Sequence, residues 1–234
     1  MSHPFDRVLG KTYTRRGLLK GTVAAGAGAL ALSAVGGHFA AGEAAAAAQQ
    51  MSDLDILNYA LTLEYLEADA YAAINRAGIL SGRAATYFRN FGGDEQAHVD
   101  AITATIRQLG GTPVAKPQFN FSSVPSDAAG VLRFFQQVEA VGVSAYLGAA
   151  PLIRNLDILD AALSIHAVEA EHTAALADLV APGTDLFAPS AFETPRTPAQ
   201  VLEIVRPFLT PGMPATGGGF GAGRPVGGGG MIQP

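Results

Sequence analysis

The sequence contains two Glu-x-x-His motifs, and a single glutamate precedes each motif at nearly the same distance. The motifs are Glu95–His98 and Glu169–His172; Glu64 lies 31 residues before Glu95, and Glu139 lies 30 residues before Glu169. On a helix, residues i and i+3 lie on one face, so the glutamate and histidine of each motif can bind one metal ion. Four carboxylates also offset the charge of two divalent cations, whereas burying them without metal would cost on the order of several kcal/mol each. We therefore predict a dinuclear metal site with the ligands Glu64, Glu95, His98, Glu139, Glu169 and His172.

The first glutamate of this set has a competitor one helical turn away. Glu67 could replace Glu64 as the ligand, could lie beside the site, or could be a solvated carboxylate. We favour Glu64 because Tyr71 follows it by seven residues, the same spacing that separates Tyr146 from Glu139. The two tyrosines could donate hydrogen bonds to ligands across the bundle. They could equally be simple core residues.

Three further residues near the two motifs have open roles. His166 lies one turn before Glu169 and is either an extra ligand or a partly buried histidine with a backbone partner. Asp94 and Glu171 each adjoin a ligand but point about 100° away from it on a helix. We expect them to face solvent or to pair with the far nitrogens of the histidines.

Helical periodicity predicts the elements that carry these residues. Apolar positions recur at three- and four-residue steps in four segments, which we place at about 52–77, 82–109, 126–150 and 155–180. The short links between the first and second and between the third and fourth segments suit antiparallel neighbours, whereas 112–125 suits a crossover along the bundle. Thr197–Pro198 could begin a short outer helix. The predicted fold is all-α, a four-helix bundle with a long crossover between helices 2 and 3.

The first 48 residues resemble a twin-arginine export signal. Thr14-Arg15-Arg16-Gly17-Leu18-Leu19-Lys20 precedes a Gly/Ala/Leu stretch of about 15 residues and an alanine run that ends at Ala48. The apolar stretch is short for a bilayer span of roughly 20 residues, so we expect no stable membrane span after processing. The expected location is exported, either periplasmic or extracellular, with the twin-arginine machinery as a partner.

The composition argues against several kinds of binding partner and excludes several kinds of metal site. Without residues 1–48 the chain keeps 10 Lys/Arg against 18 Asp/Glu, a balance that argues against nucleic acid and against an anionic membrane surface. Cysteine is absent from the whole sequence, which excludes disulfides, thiolate ligands and iron–sulfur clusters. Oxygen and imidazole ligands suit iron, manganese or zinc.

The ligand order Glu, Glu-x-x-His, Glu, Glu-x-x-His over four helices resembles the ferritin-like superfamily with its di-iron or di-manganese centres. The segments that carry the resemblance are Leu63–Ala68, Val138–Pro151 and Val168–His172, and they are similar to the branch of desiccation-related and stress-associated proteins. The likeness covers about residues 52–182. It implies that Glu95 and Glu169 bridge two iron or two manganese ions while Glu64 and Glu139 bind terminally, with open positions for dioxygen or peroxide.

The resemblance implies an exported protein with oxidative-stress redox chemistry on dioxygen, peroxide or ferrous ion, such as a di-metal oxidase, peroxidase or catalase-like enzyme. The alternative is a non-enzymatic stress or desiccation protein whose metal site is only structural. Iron storage in a closed cage fits poorly with the export signal and tail, and a homo-oligomer is left open. The expected domains are a signal peptide (1–48), the bundle (49–182), an extension with a short helix (183–210) and a Gly/Pro-rich disordered tail (211–234).

Overall fold

The computed structural model describes residues 51–210, and the predicted signal peptide and tail lie outside these residues. Four long helices form a bundle: α1 (Asp53–Ala77), α2 (Gly82–Gln108), α3 (Ala128–Ala149) and α4 (Leu156–Val180). A short helix, α5 (Pro198–Val205), follows, and no strand forms within the described range. The all-α four-helix bundle predicted from the sequence is confirmed.

The helices begin at the capping residues that the sequence shows. Ser52 and Asp55 form a capping box at the start of α1, while the side chains of Asp127 and Asn155 accept backbone hydrogen bonds at the starts of α3 and α4. Helix α2 continues through Gly92 and Gly93. A Cβ on Gly92 would lie 3.0 Å from Cβ of Tyr71, so this glycine lets α1 and α2 approach closely.

The helices pack most extensively as two pairs, α1 with α2 and α3 with α4, and the pairs meet through α1–α3 and α2–α4 contacts. Apolar side chains line both ends of the bundle. One end contains Leu61, Ile102, Tyr146 and Ile158, and the other contains Tyr71, Phe88, Phe135 and Leu176. Because every long helix contributes to both ends, the middle of each helix is left to line a shared interior.

The chain after α4 returns to the outer face of α1 and α3. The backbone amide of Arg196 donates to the carbonyl of Ser144 (3.0 Å), and its guanidinium donates to Oγ of Ser144 (2.7 Å). A Cβ at Gly148 would lie 1.9 Å from the carbonyl oxygen of Arg196, so only glycine allows this segment to pass so near α3. Val201 and Val205 of α5 then pack beside Tyr59 and Leu63. No helix in residues 51–210 has the length and hydropathy of a membrane span.

Candidate metal centre

The structure brings the six sequence-predicted residues together in the middle of the bundle. The four glutamates are fully buried, at 0% exposure, and His172 is buried at 2%. Each glutamate or Glu-x-x-His motif comes from a different long helix and lies between the two apolar ends. Burial of four carboxylates at this level is expensive unless cations or hydrogen-bond donors meet them.

The side chains form two overlapping groups whose potential ligand atoms lie within 4.8 Å of one another. The first group is Glu64, Glu95, His98 and Glu169, and the second is Glu95, Glu139, Glu169 and His172. Glu95 and Glu169 belong to both groups. Shared membership is what the expected bridging role of Glu95 and Glu169 requires, and that role stays a prediction.

The imidazole Nδ1 atoms mark the two halves of the cluster. Nδ1 of His98 lies 3.1 Å from Oε2 of Glu64, 3.0 Å from Oε2 of Glu95 and 3.5 Å from Oε1 of Glu169. Nδ1 of His172 lies 3.0 Å from Oε1 of Glu95. The two oxygens of Glu95 therefore face different histidines, which is the arrangement a bridging carboxylate needs.

The imidazole of His172 has two further contacts, one at its second ring nitrogen and one on its ring face. Nε2 of His172 lies 3.3 Å from Oδ2 of Asp94, whose side chain is half exposed, and the ring of Phe91 stacks on the imidazole at 4.0 Å. A carboxylate on the far nitrogen fixes the orientation of a metal-binding histidine. Asp94 thus takes one of the two roles the sequence left open, whereas Glu171 is exposed.

Tyr71 on α1 and Tyr146 on α3 each reach across the bundle to a glutamate on the other helix. The hydroxyl of Tyr71 donates to Oε1 of Glu139, and the hydroxyl of Tyr146 donates to Oε1 of Glu64. Each tyrosine follows one single glutamate by seven residues and hydrogen-bonds the other. Burial, and then the adjacent glutamates, raise the pKa of both phenols well above the usual value, so both remain donors. Sequence analysis could not choose between this role and simple core packing.

Glu67 is not a member of either group, yet it is buried at 3% exposure. The interpretation of Glu67 as a solvated carboxylate is therefore wrong. A Cβ at Gly142 would lie 3.1 Å from Oε1 of Glu67 and 2.9 Å from Oε2 of Glu169, so the missing side chain makes room for both carboxylates. Glu67 and Gly142 each stand three residues after a single glutamate, Glu64 or Glu139, and this matched spacing was the available sequence signal.

Glu67 and Gly142 also line a cavity of about 240 Å³ that α1 and α3 form with Ile204–Phe208. His166, the other candidate extra ligand, lies outside both groups. Its Nδ1 is buried without a hydrogen-bond partner among the described residues. The backbone partner expected for that atom is not found.

The histidines are strongly basic in this environment. Burial would lower the pKa of His98, but the adjacent carboxylates, first Glu169, raise it to about 12. Burial likewise opposes the charge on His172, while Glu139 and Glu95 raise its pKa to about 10. Burial would raise the pKa of Glu95, but the adjacent imidazoles of His172 and His98 lower it to about 2.

Three other carboxyl groups shift in the opposite direction. Burial raises the pKa of Glu64 to about 7, although His98 counteracts the shift. Burial, followed by repulsion from Glu169, raises the pKa of Glu67 well above its usual value. Burial and repulsion from Glu139 do the same to Glu169. Without metal, the cluster therefore holds several protons at neutral pH.

The cluster fits a pair of metal ions. Five of its buried atoms lack a partner in hydrogen-bonding geometry among the described residues: Oε1 of Glu95, Oε2 of Glu139, both carboxylate oxygens of Glu169 and Nδ1 of His172. Buried polar atoms are normally satisfied, so a set of oxygen and imidazole donors left open around one centre indicates a cation. The roles of the six residues as ligands stay a prediction.

Comparison with known proteins identifies the fold. The sequence matches the family described as "Ferritin-like domain" over residues 52–182, more than half of the chain. No curated protein matches it. One similar solved structure is described as a crystal structure of ferritin like, diiron-carboxylate proteins from Bacillus anthracis str. Ames; it is 25% identical, spans 56% of this chain and 99% of that one, and has a TM-score of 0.48.

Proposed function

Because this chain belongs to the ferritin-like domain family, we propose that its buried cluster binds two iron or two manganese ions that react with dioxygen, peroxide or ferrous ion. The supporting observation is that five buried ligand atoms of one six-residue cluster have no partner in hydrogen-bonding geometry among the described residues. Bound there, the metal pair would supply the redox chemistry, and six protein ligands would leave positions free for a small oxidant.

The protein's own residues position and isolate such a pair. Tyr71 and Tyr146 hold one oxygen of Glu139 and of Glu64, so the second oxygen of each carboxylate is left for a metal. Asp94 orients His172 through its far nitrogen. The apolar side chains on either side of the cluster lower the local dielectric constant, which strengthens every charge interaction in the interior.

Metal analysis followed by oxidation tests this proposal. We expect the purified protein to bind two metal ions per chain and, after anaerobic loading with ferrous ion, to react with dioxygen or hydrogen peroxide. Replacing Glu95 and Glu169 together by glutamine should abolish both binding and reaction because both groups lose two members. Glu171→Gln is the matched control, since this exposed carboxylate adjoins the same motif. A protein that binds neither iron nor manganese would refute the proposal.

A structural role for the metals is the second candidate, and the burial of the carboxylates supports it. Metal binding would relieve their repulsion and thereby raise the melting temperature, whether or not a reaction follows. Native protein that gains stability on metal loading but consumes neither dioxygen nor peroxide and oxidises no ferrous ion would favour this non-enzymatic role. Rapid turnover that disappears in the double glutamine variant would decide against it.

We also propose that the protein is exported by the twin-arginine route and serves in oxidative or desiccation stress, as its resemblance to stress-associated proteins suggests. That route characteristically carries folded proteins, so the bundle could receive its metal before export. Arg15→Lys combined with Arg16→Lys should leave the protein inside the cell, whereas Arg7→Lys, outside the motif, should not. Equal export of both variants would contradict a twin-arginine signal.

A further inference from the structure

A cavity of about 310 Å³ opens at the end of the bundle where α1 and α4 begin and α2 and α3 end. This volume is at the low end of small-molecule sites, which span roughly 300–1,000 Å³. Along α4 its wall runs from Asn155 to Ile165, which at 1.5 Å rise per residue is about 15 Å along the bundle. The cavity is thus deep enough for a short chain molecule.

The wall of this cavity is mainly apolar, and two of its polar residues lie at the mouth. Side chains such as Leu57, Ile102 and Ile158 line the interior. Gln108 and Asn155, at the ends of two helices, are exposed. Such a site accepts an apolar body and leaves a wet entrance.

One buried group in the wall is not satisfied by the protein. Tyr59 lines the cavity and is 3% exposed, and its hydroxyl has no hydrogen-bond partner among residues 51–210. Burial raises the pKa of this phenol, so the hydroxyl keeps its proton and can donate. An unpaired buried hydroxyl costs roughly 1–3 kcal/mol, a penalty that a ligand oxygen would remove.

The charges around the cavity select against an anionic ligand. Among the described residues, Asp157 is the one charged residue in its wall, and no lysine, arginine or histidine lines it. A carboxylate entering here would meet like charge without a cation to pair with. A neutral oxygen, from an alcohol or a carbonyl, suits Tyr59 better.

From these observations we propose that the cavity binds a neutral, mainly apolar molecule with one hydrogen-bonding oxygen, of the class of medium-chain alcohols. The apolar chain packs against the aliphatic wall, and the oxygen accepts a hydrogen bond from Tyr59. The inner wall includes Tyr146, which also hydrogen-bonds Glu64, so the ligand site adjoins the metal cluster. The binding proposal does not depend on any reaction at the metals.

Calorimetric titration of the purified full chain with 1-octanol tests this proposal. We expect saturable binding of one molecule per chain, and binding of octanoate at least about tenfold weaker. Tyr59→Phe removes only the hydroxyl and should weaken 1-octanol binding roughly three- to tenfold, the worth of one hydrogen bond. Tyr87→Phe is the matched control, because this tyrosine lies on α2 outside the cavity wall.

A filling substitution gives an independent readout. Ala162→Leu places three more carbons into the cavity wall and should abolish binding, whereas Ala167→Leu, at an exposed position of the same helix, should not. Circular dichroism melting establishes that each variant is folded, and Tyr59→Phe decides the matter if Ala162→Leu does not fold. No saturable binding, unchanged affinity in Tyr59→Phe, or tighter binding of octanoate than of 1-octanol would each overturn the proposal.

Discussion

Metal loading of this cluster should release protons, because the metal-free site holds them. The pKa of His98 is about 12 and that of His172 about 10, so both imidazoles are charged at pH 7. Binding to a metal requires the neutral imidazole. Two divalent cations must therefore displace at least two protons.

The carboxyl groups add to this number. Glu64, with a pKa of about 7, is about half protonated at neutral pH, and the raised pKa of Glu169 contributes in the same direction. For each proton released on metal binding, the overall metal-binding constant increases tenfold when the pH rises by one unit. The constant for loading both ions should thus rise at least about a hundredfold between pH 6.5 and 7.5, and should fall as the pH falls.

Calorimetry with Mn²⁺ at pH 7, in two buffers of different ionisation enthalpy, gives the proton number directly. The number does not depend on how histidine and carboxylate share a proton, since the measurement reports the coupled group as a whole. His166→Asn is the matched control: His166 lies outside both ligand groups, so the proton number should not change. Fewer than two protons released per Mn²⁺ pair would refute the electrostatic reasoning, and no binding of Mn²⁺ or Fe²⁺ would refute the site.

Three further outcomes follow from the same geometry. In the metal-free protein, Glu64 alone should lower the free energy of unfolding by roughly 3 kcal/mol between pH 4.5 and 7. A carboxyl group whose pKa is higher in the folded state stabilises the fold at pH values below its unfolded-state pKa, and this stabilisation is lost as the pH rises to the folded-state pKa. Urea unfolding that shows no decline in stability in this window would contradict the prediction. Gly142→Ala should weaken metal binding, because the added Cβ would lie 2.9 Å from Oε2 of Glu169. Gly93→Ala is the control: its Cβ would have nothing within 4 Å, so it should stabilise α2 by up to about 1 kcal/mol. Calorimetry and thermal melts would show equal effects of the two variants if the contact with Glu169 were unimportant. Tyr146→Phe should lower metal affinity about 10- to 100-fold, because Glu64 loses the donor that orients it; an unchanged metal-binding isotherm would remove Tyr146 from the site.

The sequence was most informative where a property depends on neighbours along one helix. Glu95 with His98, and Glu169 with His172, share a helix face whatever the rest of the chain does, since three residues make nearly one turn. The helix bounds likewise follow from local signals, such as the capping box at Ser52. The ligand candidates and the all-α fold could therefore be predicted before the structure.

Contacts between helices were beyond the sequence. A seven-residue spacing singled out Tyr71 and Tyr146, but the crossed partners became known only when α1 and α3 were placed in space. The sequence was equally consistent with a solvated Glu67, whereas the structure buries this side chain beside Gly142.

Sequence by itself determined which side chains share a helix face, and so the chemistry that six of them could perform together. Tertiary structure alone decided which carboxylates face both histidines, which hydroxyls hold them, and that the Tyr59 hydroxyl is left unpaired beside a cavity. The physical reason is the range of the interactions involved. Spacing along one helix is fixed by local hydrogen bonds, whereas distances between helices depend on how every side chain in the interface packs.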